Sequence, residues 1–173
     1  LIFHSLSKRS SVPGLRSGFV AGDARLIELM RRAISYGGVA TSLPVLSAAT
    51  ALWRDEDHVH TMRERTRANW AIAQKHLGSY PGFAPAPAGF FLWLNVGDGE
   101  AVTQQLWRDA GVRVMPGSYM GRTNPATGVN PGDPYVRIAL VHSPEITDQA
   151  LARIAAVLAA SASVSPSRQR KTG

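Results

Sequence analysis

The sequence has 173 residues, of which 45% are hydrophobic, and it contains no cysteine. This length allows one ordinary hydrophobic core or two small ones, and no apolar run approaches the roughly 20 residues that span a bilayer, which argues against a membrane protein. The absence of cysteine excludes disulfides and thiolate metal sites and favours a reducing compartment, the cytoplasm.

The formal net charge is +7. Three of these charges come from the C-terminal end, at Arg168, Arg170 and Lys171. Residues 161–173 are rich in serine and poor in apolar side chains, which predicts a disordered basic tail. A surface that stacks nucleic-acid bases needs aromatic side chains among its basic residues, and none lies among these three. The charge therefore gives little support to nucleic-acid binding.

The chain begins with LIF (residues 1–3), a short apolar run that predicts the end of a buried strand. The run leads into HSLSK (residues 4–8), so Lys8 lies at a strand exit, where ligands bind in open α/β sheets. Ser5 and Lys8 lie on one side of the chain if it turns here. The simplest alternative is a solvated lysine in a surface loop, since Pro-Gly at 13–14 marks a turn.

Arg16 lies between Gly14 and Gly18. The missing glycine side chains allow a bound group to approach the backbone while the guanidinium forks onto an oxyanion. A lysine amine can form a Schiff base with a carbonyl compound. A nearby arginine can hold the same compound in place if its other end carries a dianion. Pyridoxal phosphate is such a compound.

The segments SLSK (residues 5–8) and GLRSG (residues 14–18) resemble the lysine signature of the class I/II, fold-type-I pyridoxal-phosphate aminotransferases. Ser17 is a mild departure, because a small apolar residue is commoner after the arginine. The resemblance covers about residues 1–160 and implies that Lys8 is the catalytic lysine. It also implies that four residues bind the cofactor, pyridoxal 5'-phosphate: Ser5, Ser7, Lys8 and Arg16.

Four longer segments resemble the N-succinyl-diaminopimelate aminotransferases of bacterial lysine biosynthesis: SLSKRSSVPGLRSGFVAGD, AGFFLWLNV, PGSYMG and VNPGDPYVRIALV. This resemblance implies amino-acid and 2-oxo-acid substrates, with 2-oxoglutarate as the acceptor. It also implies a homodimer in which Thr41 and Ser42 reach the neighbouring subunit's cofactor phosphate. The alternatives are another class I aminotransferase or a C–S lyase acting on a different amino acid, and a noncatalytic aminotransferase-like fragment.

Because the chain begins inside an expected strand without an initiator Met, we expect it to be the downstream part of a longer protein. The family's lysine falls past the middle of its chain, which implies the same. The upstream segment is then expected to supply an aromatic ring over the cofactor, an Asp for the pyridine nitrogen and much of the large-domain sheet.

Helices dominate the next part of the chain. After SGFVAG (residues 17–22), a predicted strand, Asp23 is expected to cap a helix. Pro44 is expected to open a second helix over residues 43–53, and a long helix is expected from about residue 55 to 77.

The sequence YPGFAPAPAGF (residues 80–90) is the clearest boundary, because it is dense in Pro and Gly. Three strands are predicted after it, at FFLWLNV, VRVMP and YVRIALV, together with a helix over residues 100–110. A last helix carries a stripe of apolar residues at i, i+3, i+4 and i+7: Leu151, Ile154, Ala155 and Leu158.

Strands that alternate with helices predict an α/β or α+β fold. With the resemblance, the expected fold is the C-terminal part of the pyridoxal-phosphate-dependent transferase fold, comprising the end of the large-domain sheet with its helices and a small α/β domain. Four parts are predicted: the C-terminal part of the cofactor-binding large domain (1–54), a linking helix (55–80), a small C-terminal domain (81–160) and the tail (161–173).

Arg137 interrupts the apolar strand YVRIALV, where a charge is costly unless it is paired or lies at a cleft. From the residues alone, an outward-facing surface arginine explains it equally well. The resemblance implies that Arg137 forks onto the α-carboxylate of the substrate, an orientation that lysine cannot reproduce. TNPATG (residues 123–128) imitates the family's Asn-Pro motif but follows the lysine, so we interpret it as part of a loop.

No metal site is predicted. His58 and His60 are two positions apart on an expected helix and point in different directions, so solvated side chains are the better interpretation. The acidic residues 55–57 are interpreted as an exposed helix start.

Overall fold

The computed structural model describes residues 1–37 and 40–164, and side chains as far as residue 161. Its contacts divide the chain into two compact units, Leu1–Glu64 and Arg65–Gly173. Short antiparallel sheets combine with helices in both units, in agreement with the predicted α/β or α+β class. None of the helices in the described ranges has the length and apolar character needed to cross a membrane.

The first unit contains a two-stranded antiparallel ribbon. In it β1 (Ile2–Ser5) pairs with β2 (Gly18–Ala21) over four residues. Between the strands lie the short helix α1 (Leu6–Arg9) and a 3-10 turn (Pro13–Leu15). Three longer helices follow, the last of which continues into the second unit: α2 (Ala24–Gly37), α3 (Leu43–Arg54) and α4 (Asp57–Leu77).

Local capping explains where the first two long helices begin. The Asp23 carboxylate accepts hydrogen bonds from the backbone N–H groups of Arg25 and Leu26, at 3.0 and 3.1 Å. Pro44 lies in the first turn of α3, where its missing N–H leaves no donor unsatisfied. Both helix starts predicted from these residues are therefore confirmed.

The prediction that the first strand is buried is wrong. Ile2 and Phe3 are 66% and 69% exposed. Within the described residues β1 pairs with β2 alone, and this narrow ribbon does not form the covered sheet that a continuous apolar run normally indicates. Burial begins one turn later, at Leu6, whose side chain is fully buried.

The second unit is built on a three-stranded antiparallel sheet of β3 (Phe91–Asn95), β4 (Met115–Pro116) and β5 (Tyr135–Ala139), with strand order β3–β5–β4. Leu92 and Leu94 of β3 and Val136 of β5 lie fully buried on one face. Leu106 and Ile154, from two flanking helices, belong to the same core. The elements in chain order are β3, α5 (Gly99–Ala110), β4, β5 and α6 (Pro144–Val164).

Two predictions for this unit need correction. The strand expected over VRVMP is only the two-residue β4, because β4 pairs with β5 at Met115 and Pro116 alone, and proline cannot donate to a sheet ladder. The disordered tail was expected from residue 161, but α6 continues to Val164. The Ser161 hydroxyl forms hydrogen bonds with the side chain of Gln105 on α5, and these bonds hold the last turn of α6 against α5. The remainder of the tail, residues 165–173, lies outside the described residues.

An ion-pair cluster joins α4 to α6 within the second unit. The Asp148 carboxylate lies 2.9 Å from Lys75 Nζ and 2.8 Å from His76 Nε2. The hydrogen bond from Lys75, and next that from His76, lowers the pKa of Asp148 below its ordinary value of 3.8. A carboxyl whose pKa is lower in the folded state than in the unfolded state stabilises the fold at pH values above its unfolded-state pKa. This contribution is lost as the pH falls through its folded-state pKa.

We therefore expect Asp148→Asn to destabilise the intact protein at neutral pH and to have little effect once the pH is well below 3.8. The loss is small, because the carboxylate is exposed and salt screens it. Urea denaturation at both pH values measures it, with Asp109→Asn, an exposed carboxylate on α5, as the control. Equal losses from Asp148→Asn at the two pH values would contradict this account.

Candidate active site

A sharp strand-to-helix turn presents Lys8. Ser5 ends β1 and caps α1, its Oγ accepting a hydrogen bond from the Ser7 backbone N–H at 3.1 Å. The same hydroxyl donates to the Ser17 carbonyl at 3.4 Å, and the Leu6 N–H donates to that carbonyl at 3.1 Å. Lys8 therefore lies in the single turn of α1, directly after the strand and with its side chain exposed.

An open cleft of about 680 Å³ lies beside this turn, within the first unit. It brings Lys8 and Ser5 together, as the turn geometry predicts. Ser7 and Arg16 are not among its lining residues. The lining consists of Phe3, His4, Ser5, Lys8, Gly18, Phe19, Val20 and Met30.

Arg16 follows the 3-10 turn in a left-handed backbone conformation, with φ of 49°. A non-glycine residue pays roughly 1–2 kcal/mol for that conformation, and such positions cluster at ligand sites. The exposed guanidinium donates to the Pro13 carbonyl at 3.1 Å, which uses one of its five N–H donors. Gly18 is required by packing, since a Cβ there would lie 2.5 Å from the His4 carbonyl oxygen.

Aromatic rings form one side of the cleft. The His4 ring stacks on Phe19, with centroids 5.7 Å apart, and is nearly perpendicular to the Trp53 ring, with centroids 5.2 Å apart. His4 Nδ1 accepts the backbone N–H of Ser5 at 3.0 Å, which fixes the ring against the turn. These rings were not predicted as site residues, although the aromatic residue in SGFVAG was a usable signal.

Arg9, directly after Lys8, was also missed. Its side chain is 8% exposed and forms an ion pair with Glu56, which lies at the junction between α3 and α4. The interpretation of His58 as solvated is wrong: its ring bonds Asp55 Oδ2 at 2.7 Å and Ser10 Oγ at 2.8 Å. The hydrogen bond with His58 lowers the pKa of Asp55 below 3.8.

Arg137 lies at the centre of the sheet in the second unit, on the face opposite the core. Its neighbours across the strands are Trp93 on β3 and Met115 on β4. The guanidinium carbon lies 4.4 Å from the centroid of the Phe91 ring, and Nη2 lies 3.5 Å from Met115 Sδ. The ion pairs of the described residues do not include Arg137. This environment of rings and sulfur leaves the charge available to an anionic ligand.

The loop that contains TNPATG is closed on itself. The Asn124 side chain accepts the Ala126 N–H at 2.9 Å, and its carbonyl accepts the N–H of Gly128 at 2.8 Å. The asparagine is therefore used in a local turn, in agreement with its interpretation as a loop residue. Thr41 and Ser42 are exposed just before and at the cap of α3.

Known proteins are similar to this chain in sequence and in fold. A crystal structure of an aminotransferase from Neisseria meningitidis has a TM-score of 0.83 at 40% identity, over 90% of this chain and 40% of that protein. Aminotransferase AspB from Helicobacter pylori has a TM-score of 0.79 at 34% identity, over 89% of this chain and 39% of that protein. The 4-dedimethylamino-4-oxo-anhydrotetracycline transaminase of Streptomyces rimosus is 32% identical, over 89% of this chain and 41% of its own length.

Other relatives are named as LL-diaminopimelate, aspartate and glutamate-pyruvate aminotransferases, so their names span several substrates. The chain spans only about two fifths of the length of these curated relatives. The family model for aminotransferase class I and II matches residues 1–154. The chain therefore belongs to the class I and II aminotransferases, which have the fold-type-I architecture and depend on pyridoxal phosphate.

Proposed function

We propose that this chain is the lysine-bearing part of an enzyme that transfers an amino group from an amino acid to 2-oxoglutarate, with Lys8 as the residue that holds pyridoxal phosphate covalently. The observation that carries the proposal is the placement of Lys8 beside Ser5 on an open cleft, in a chain matched by the aminotransferase family over residues 1–154.

The side chains around the cleft have the chemistry that binding of pyridoxal phosphate requires. An exposed amine on an open cleft suits condensation with an aldehyde, and the rings of His4 and Phe19 offer a flat wall to a planar pyridine ring. The hydroxyls of Ser5 and Ser7 at the α1 turn, and the guanidinium of Arg16 after the 3-10 turn, are groups that suit a phosphate. Ser5 needs only to rotate its hydroxyl away from the long 3.4 Å bond to Ser17 to donate to an anion.

The cofactor, when bound, supplies an aldehyde for the amino group and a ring that accepts electrons from the substrate α-carbon. Lys8 would hold the cofactor through Nζ, and as a free amine the same Nζ would accept the proton that leaves the substrate α-carbon. Ser5, Ser7 and Arg16 would hold the phosphate. Arg137 would orient the substrate by a forked bond to its α-carboxylate.

We propose N-succinyl-diaminopimelate as the specific amino-acid substrate. It is supported by the four longer segments quoted above, while a relative from Dehalococcoides mccartyi is named as acting on LL-diaminopimelate. We infer that the protein forms a homodimer, as the resemblance implies. We infer a cytoplasmic location because the absence of cysteine favours a reducing compartment. A panel of N-succinyl-diaminopimelate, LL-diaminopimelate, aspartate and cysteine conjugates would rank the substrates and would reveal a C–S lyase by release of pyruvate.

The first test is covalent labelling. The intact protein is incubated with pyridoxal phosphate, reduced with borohydride and digested, and we expect the label on the peptide that contains Lys8. Lys75, whose amine pairs with Asp148, is an internal control for nonspecific modification. A protein labelled equally at Lys75, or not labelled at Lys8, would instead be a noncatalytic aminotransferase-like module.

A further inference from the structure

The residue after Lys8 makes a dense set of contacts with the α3–α4 junction. Arg9 Nη1 donates to the Leu52 carbonyl at 2.7 Å, and Nη2 bonds the Glu56 carboxylate. Both nitrogens also lie within 3.5 Å of the Asp55 carbonyl oxygen. The carbonyls at a helix C-terminus lack intrahelical partners, so this guanidinium satisfies the end of α3.

The same guanidinium is linked to the cleft wall through Trp53. The Arg9 guanidinium carbon lies 5.0 Å from the centroid of the Trp53 ring. That ring in turn contacts the rings of His4 and Phe19, with centroid distances of 5.2 and 4.9 Å. Arg9 therefore supports the aromatic wall as well as the backbone of α1.

A second tether starts one residue later. Ser10 caps the C-terminal end of α1, and its hydroxyl lies 2.8 Å from His58 Nε2. The other ring nitrogen of His58 is held by Asp55. The two residues that follow Lys8 are thus both bonded to the junction between α3 and α4.

Lys8 needs this support, because α1 has only four residues. A single helical turn is not stable by itself, since forming a helix nucleus fixes several residues for one hydrogen bond. The Lys8 side chain must also move during the proposed reaction while its Cα stays in place. Holding a reacting group in a fixed geometry is a major source of rate enhancement in enzymes in general.

We propose that Arg9 is a positioning residue that fixes the backbone of Lys8 by binding the end of α3 and the start of α4. This inference rests on the proposed function of Lys8 as the cofactor-holding amine. Arg9 itself acts through the backbone of α1.

The test compares Arg9→Met, which keeps the length of the side chain without its donors, with Arg9→Lys, which keeps the charge but cannot fork. Arg31→Met is the matched control, because Arg31 forms an exposed pair with Glu28 on α2. Amide hydrogen exchange of residues 6–10 is measured in the intact protein without pyridoxal phosphate. Steady-state kinetics are then measured on the loaded enzyme.

We expect Arg9→Met to speed exchange at residues 6–10 by about 10-fold or more, as loss of charge-assisted hydrogen bonds allows. The kcat should fall with little change in the KM for either substrate. Arg9→Lys should give an intermediate exchange rate, and Arg31→Met should match the wild type. If Arg9→Met does not fold, the Arg9→Lys exchange rate decides the question.

Wild-type exchange at residues 6–10 in the Arg9 variants would overturn the inference, even if activity fell. The exchange measurement uses protein without cofactor, so it is independent of the labelling test. Failure to label Lys8 would refute the proposed function, whereas normal labelling with unchanged exchange would refute the role of Arg9 alone.

Discussion

Replacing Lys8 with alanine is expected to lower the transamination rate of the intact protein by at least about 10²- to 10⁴-fold, the usual contribution of a positioned proton-transfer group. The loss of covalent attachment should add to this. The side chain lies exposed on the cleft, so the substitution leaves no cavity and folding should be unaffected. Single-turnover conversion of the bound cofactor by substrate separates the chemical step from product release.

Two further variants identify what the amine does. Lys8→Arg keeps the positive charge, but a guanidinium stays protonated and cannot attack an aldehyde, so it should be as inactive as Lys8→Ala. Lys75→Ala removes the control lysine and should leave the rate unchanged. Substantial turnover in Lys8→Arg would mean that this position contributes only charge.

Local rules were enough to predict the elements that depend on adjacent residues. Asp23 and Pro44 each fix a helix start through groups within three positions, and all the predicted long helices are present. The strand predicted at YVRIALV is also present as β5, where Val136 is buried and Arg137 lies on the other face. In such segments the information that determines the structure is contained in a few consecutive residues.

The features that the sequence did not reveal depend on distant partners. Arg9 bonds residues 43 to 47 positions away, and His58 bonds Ser10 at a separation of 48. No spacing rule predicts such contacts, because tertiary folding creates them. The exposure of Ile2 and Phe3 was missed for the converse reason: an apolar run indicates a strand but does not identify the element that covers it.

Arg137→Gln is expected to reduce kcat/KM for amino-acid substrates by about 10²-fold, which corresponds to the loss of about 3 kcal/mol of charge-assisted hydrogen bonding to a carboxylate. Arg137→Lys should recover only part of this, because an ammonium cannot form the forked pair. Initial rates over a range of substrate concentrations give the effect on kcat and KM separately.

The structure suggests a second explanation for any such loss, because the Arg137 guanidinium also packs on Phe91 and Met115. A substrate control separates the two. An amine that lacks only the α-carboxylate cannot use the forked bond, so its low rate should be the same in the wild type and in Arg137→Gln. Arg113→Gln, which removes another arginine stacked on an aromatic ring of the same unit, should affect neither substrate.

If Arg137→Gln slows the amino acid and the decarboxylated amine equally, the arginine supports the sheet and does not recognise the substrate. If only the amino acid is slowed, the coupling between side chain and carboxylate is measured directly as the ratio of the two effects. The face of β5 that carries Arg137 would then be the substrate-binding face of the second unit. Its rings at Phe91 and Trp93 would exclude water from the ion pair and so strengthen it, because a charge-assisted bond is stronger where the local dielectric is low.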